Sequence, residues 1–141
     1  MRVDCAELSG GATAENPKGG AAGRASERWN LGSCAVAEPP ACFVRPLEFS
    51  TESVATEFET KPALKFSPSS GTTLFELSFE GASCGLKGVS MKVVGTFTGI
   101  QSSSGFEVTE ASNSLNIGTA KAYFLGSAAL KTASGVLRLT P

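Results

Sequence analysis

Four cysteines in a chain without histidine constrain this sequence more than any other feature. Cys5, Cys34, Cys42 and Cys84 are an even, widely spaced set, and none sits in the C-x2-C spacing that tetrahedral zinc sites use. A redox-active pair would lie closer together and open a helix, whose amide dipoles lower a thiol pKa, and no such helix start is visible. The thiols therefore read as structural disulfides, the usual device of small exported domains. Four cysteines allow three connectivities, and spacing does not choose among them. The preferred set is Cys5 with Cys34 and Cys42 with Cys84, because Pro39 and Pro40 favour extended backbone that would carry Cys34 and Cys42 apart.

Length fits a single domain spanning 1–141, enough to bury about two-thirds of the unfolded surface in one core. The 12 basic and 13 acidic residues are spread along the chain, so no extended field exists to draw nucleic acid or anionic lipid. No stretch approaches the roughly 18 apolar residues of a membrane helix, so membrane insertion is not expected. The opening "MRVDCAELSG" lacks the apolar run of a signal peptide, which fits a mature or excised portion of an exported parent.

Residues 8–30, "LSGGATAENPKGGAAGRASERWN", show almost no apolar periodicity and read as a long Gly/Ala-rich loop anchored by Cys5 and Cys34. Trp29, the only tryptophan, reads as a plug for the core where that loop returns. Beyond the cysteine pair the pattern changes to period two, the signature of strands with one buried face. In "TTLFELSFE", Phe75, Leu77 and Phe79 alternate with Glu76, Ser78 and Glu80. "FVRPLEF" and "SVATEFE" read as shorter strands, with Pro46 marking an edge or bulge, and "TKPALKFSPSSG" reads as a turn-rich link. In "GVSMKVVGTFTGI", Val89, Met91, Val93, Gly95 and Phe97 share a face, and Gly95 and Gly99 signal a bulge or a close approach of sheets. "GFEVTE", "NSLNIG", "AYFLGSAALKTA" and "GVLRLT" follow as strands; for residues 119–133 Gly126 and frequent Thr and Ser favour strand over an alanine-rich helix. Turns recurring through such strands predict an all-β antiparallel sandwich or partly closed barrel.

The stretches "VDCAELSG", "LGSC" with a second cysteine soon after, "SCGLKGVSMKVVGTFTGI" and "SLNIGTAKAYFLGSAAL" resemble those of uncharacterised secreted β-rich proteins of soil actinobacteria. The resemblance implies export and an all-β fold, with no established activity.

The chemistry is defined largely by what is missing. Without histidine, the usual general base of Ser and Cys nucleophile systems is gone, and no catalytic residue stands out. Glu76 and Glu80 share a strand face, but roughly 13 Å of strand rise separates them, too far for paired glycosidase carboxyls. Asp4 is the only aspartate, which argues against a calcium loop, and neither metal nor cofactor is expected. A Lys–Asn isopeptide crosslink would need Lys92 with Asn113 or Asn116, yet Lys92 falls on the polar face. Most of the nine Phe fall on inner faces, leaving Trp29 and Tyr123 as the aromatic candidates for ligand contact. The expectation is a non-enzymatic, secreted or cell-surface structural or adhesive module, self-associating through edge strands. The alternative is a module binding an extracellular glycan or small ligand.

Overall fold

The computed structural model describes residues 1–129, 131–132 and 135–136. In chain order the strands are β1 (Val3–Glu15), β2 (Arg24–Val36), β3 (Phe43–Val44), β4 (Leu47–Phe58), β5 (Lys61–Pro68), β6 (Thr73–Glu80), β7 (Ser90–Gln101), β8 (Phe106–Val108), β9 (Asn113–Ile117), β10 (Ala120–Ala122) and β11 (Gly126–Ala128). A small separate pair, β12 (Lys131–Thr132) with β13 (Gly135–Val136), follows. The first eleven form one antiparallel sheet. Its path β7–β5–β4–β2–β3–β6 returns to β7, so the sheet bends into a partly closed ring with the core inside. The expected all-β antiparallel fold is present; its form is one sheet curved on itself.

β7 makes the closure by pairing along one edge first with β6, through Ser90–Val94, and then with β5, through Phe97–Ile100. Gly95 lies where one partner gives way to the other, at φ +112, and a Cβ there would sit 2.1 Å from the Ser114 carbonyl oxygen. At Gly99 a Cβ would meet the Phe106 ring at 2.5 Å. Both glycines thus allow the close approach their place in the strand implied. Gly95→Ala is expected to lower stability by about 1–3 kcal/mol, from a strained backbone and a forced separation of β7 and β9, measurable by urea denaturation.

Four expectations need correction. Residues 8–30 are not a loop: β1 and β2 pair along their whole length as a hairpin closed by the turn 16–23. The apolar pattern was invisible for two reasons. Every residue of β1 except Val3 and Ala14 is exposed, so neither face needs apolar side chains, while β2 buries Ala25, Glu27, Trp29 and Leu31, where a carboxylate interrupts the alternation. The turn-rich "TKPALKFSPSSG" contains β5, which tolerates its prolines because β7 pairs only with Ala63–Phe66. Pro62 and Pro68 lie beyond that contact, where a missing N–H removes no ladder bond. "FVRPLEF" and "SVATEFE" divide differently, Pro46 falling between β3 and the long β4. Finally, the disulfides are Cys5–Cys34 and Cys42–Cys84, as preferred, but Pro39 and Pro40 do not carry Cys34 and Cys42 apart. Segment 37–41, with a cis Glu38–Pro39 peptide, turns back so that the Val36 N–H donates to the Cys42 carbonyl at 3.0 Å. Pairing follows instead from facing strands, since Cys5 and Cys34 are direct cross-strand partners with Cα atoms 4.0 Å apart.

Residues 119–129 contain strands β10 and β11 and no helix; Leu130 and Ala133 lie outside the described residues, as does most of "GVLRLT". The core is aromatic. Phe66, fully buried, stacks on Phe97 at 4.7 Å and meets Phe106 at 5.0 Å, and Phe124 packs on Phe97 at 5.1 Å. The Asn113 side chain fixes that last ring, accepting from the Phe124 N–H and donating to the carbonyls of Phe124 and Thr109.

Candidate interaction surface

Three features stand out as places where this fold could act, and the first is the outer edge of β1. Among the described residues no strand pairs with that edge. The direction of its backbone groups follows from the neighbouring ladder. The Ala55 N–H donates to the Gly23 carbonyl, making Gly23/Ala55 a hydrogen-bonded pair. Alternation then turns the N–H and C=O groups of Ala25, Glu27, Trp29 and Leu31 toward β4. Their β1 partners Ala14, Ala12, Gly10 and Leu8 accordingly point theirs outward, away from β2. Gly10 supports this assignment: a Cβ there would meet the Arg28 carbonyl oxygen at 2.1 Å, because that oxygen turns toward β1 to receive the Gly11 N–H. The edge therefore offers alternate unpaired donors and acceptors along Leu8–Ala14. Beyond Leu8 its side chains are small, and β1 carries neither proline nor lysine to guard it.

The second feature is a surface groove of about 560 Å³. Arg45 and Lys87 bring positive charge, Ser78 and Ser90 hydroxyls, and Glu80 a carboxylate that pairs with Arg45 at 2.8 Å. The Cys42–Cys84 bridge ties down the loop that forms one wall, and Phe43, opposite Glu80 in the ladder, is 56% exposed beside it. Glu76, expected on a solvated face with Glu80, is exposed and accepts from the Ser90 hydroxyl.

The third lies inside the ring. Glu27 is buried and, among the described residues, forms no ion pair; its carboxylate accepts from the hydroxyls of Thr51, at 2.6 Å, and of Ser53. Thr51 in turn accepts from the Trp29 indole N–H at 2.8 Å. Burial pushes the Glu27 carboxyl above its ordinary value; the Ser53 and Thr51 hydroxyls pull it part of the way back, and the charge of Glu52 adds to the rise. Between the ordinary value and the raised one, the folded chain holds a proton that the unfolded chain has released, so this group's contribution to stability falls as pH rises through that interval and then levels off. Glu27→Gln removes the charge, so its stability relative to the parent is expected to improve as pH rises from about 4 to neutrality, read by urea midpoints at each pH. Alternation of apolar and polar residues does not by itself disclose this network. The signal was present as Glu27 in register with Ala25, Trp29 and Leu31, and as Thr51 and Ser53 in register with Phe49 and Ala55.

The two aromatic ligand candidates separate. Trp29 is buried against Phe49, Phe66 and Phe106, filling the core and presenting no stacking face to solvent. Tyr123 is 48% exposed in the link between β10 and β11, and no ring contact joins it to Trp29. Lys92 is exposed opposite Glu76, Asn113 is committed to Phe124 and Thr109, and Asn116 lies opposite Val94 on one side and Lys121 on the other. Among the described residues no three carboxylate or sulfur groups converge as metal ligands, and no helix is long and apolar enough to cross a membrane. Comparison with protein-family models, with curated proteins and with solved structures gives no match to this chain.

Proposed function

We propose that this chain is an exported, non-enzymatic structural or adhesive surface module that associates through the outer edge of β1, in keeping with its resemblance to secreted actinobacterial β-rich proteins. The observation that supports this most is a 13-residue strand exposed on both faces, held by β2 on one edge only. A strand with so little side-chain burial contributes little to the core, and its unpaired backbone groups can be satisfied by another strand. Two disulfides fit an oxidising compartment, where such a module would work.

Light scattering across a concentration series tests this reading, with mass expected to rise from that of one chain. Ala12→Pro is expected to abolish the rise while leaving the β-sheet circular dichroism intact, because that N–H points outward. Gly11→Pro deletes a bond to β2 and is expected to destabilise the hairpin by about 1 kcal/mol or more. A parent chain that stays monomeric would overturn the reading.

The groove beside Arg45 and Lys87 favours a second reading, binding of an extracellular glycan or small ligand bearing negative charge. Saturable binding on a glycan array, lost in Arg45→Ala, would support it over self-association.

A further inference from the structure

We infer that the occupant of the β1 edge is the β1 strand of a second copy, paired antiparallel about a two-fold axis at Gly10. This rests on the proposed self-association and specifies its partner and register. Because Leu8, Gly10, Ala12 and Ala14 all point their backbone groups outward, two copies of the strand can meet only in registers that place these residues opposite one another. Two such registers use the strand well. With Gly10 opposite the partner's Gly10, Leu8 faces the partner's Ala12, Glu7 faces the partner's Thr13, and Ser9 faces the partner's Gly11. About six N–H···O bonds would form. With Gly11 at the axis instead, Leu8 faces the partner's Ala14, but Glu7 then faces the partner's Glu15, and symmetry repeats that contact. Like charges directly opposite in a ladder are destabilising, so the Gly10 register is selected.

A second copy suits this edge better than an unrelated strand. From Ser9 to Ala14 the side chains are Ser, Gly, Gly, Ala, Thr and Ala, which give no pockets or bulk to read a foreign sequence. Recognition rests on the backbone, and the near-neutral chain, with a net charge of -1, does not repel its own copies strongly. The contact is also self-terminating. Among the described residues β1 is the longest strand with an unpaired edge, so pairing β1 with β1 consumes that edge and yields a closed dimer.

The test is an isotope-filtered NOE experiment on a mixture of labelled and unlabelled chain, at concentrations up to about 1 mM, where weak pairing is populated. Close Hα–Hα contacts mark non-hydrogen-bonded pairs in an antiparallel ladder. Intermolecular Hα contacts from Ser9 to the partner's Gly11, and from Glu7 to the partner's Thr13, are expected. A dimer showing Gly11 against the partner's Gly11, or contacts from another strand, would overturn this pairing and leave self-association standing. The absence of any concentration-dependent association would overturn both.

Discussion

Replacing Cys42 and Cys84 together by serine is expected to cost about 4 kcal/mol, the largest effect of any change outside the aromatic core. The bridge spans 42 residues, and closing a loop of that size removes roughly this much entropy from the unfolded chain. Both sulfurs are buried, so two hydroxyls would also be left in an apolar setting. Structurally the bridge ties the loop after β6 to the start of β3, where the ring is narrowest in paired residues: β3 meets β2 and β6 through two pairs each. Losing the tie should open the ring there first. Equilibrium urea unfolding of the double variant, compared with the parent, checks the magnitude. Amide exchange of Val44 and Phe79 should rise before that of Phe66, and unfolding that begins elsewhere would count against a ring closed through β3.

Trp29→Ala is expected to cost about 3–5 kcal/mol, as for large aromatic truncations in a packed core. The indole touches Phe49, Phe66 and Phe106, and its N–H supports the Thr51 hydroxyl that in turn serves Glu27. Trp29→Phe separates the two roles. It keeps most of the packing and deletes the donor, so about 1 kcal/mol is expected. Tyr123→Ala, at an exposed position, should change stability by no more than about 0.5 kcal/mol. Thermal and urea unfolding followed by circular dichroism distinguish these outcomes, and a Trp29→Ala chain as stable as the parent would remove the tryptophan from the core.

What the sequence revealed depended on whether burial followed composition. β6 and β7 are apolar on one face and polar on the other, and their inner residues Leu77, Phe79, Val93 and Phe97 lie where alternation placed them. The preferred disulfide pairs are the ones present, but the sequence offers no sound ground for choosing them, because the Pro39–Pro40 step serves a turn. Two kinds of strand escaped. β1 has no buried face and therefore no pattern, so only its pairing with β2 makes it a strand. β2 and β4 bury Glu27, Thr51 and Ser53, whose polarity is satisfied mutually across the ladder, a compensation visible only once the strands are placed side by side. The candidate site was least legible, since an edge is defined by the strand that is not there.

The most direct measurement is residue-resolved amide exchange along β1 in dilute and concentrated solution. At dilution Ser9, Gly11 and Thr13, bonded to β2, should be protected while Leu8, Gly10, Ala12 and Ala14 exchange quickly; on concentration Leu8, Gly10 and Ala12 should become protected as well. Fast exchange throughout residues 8–15, or outward amides that stay unprotected at every concentration, would contradict a strand whose outer edge receives a second copy.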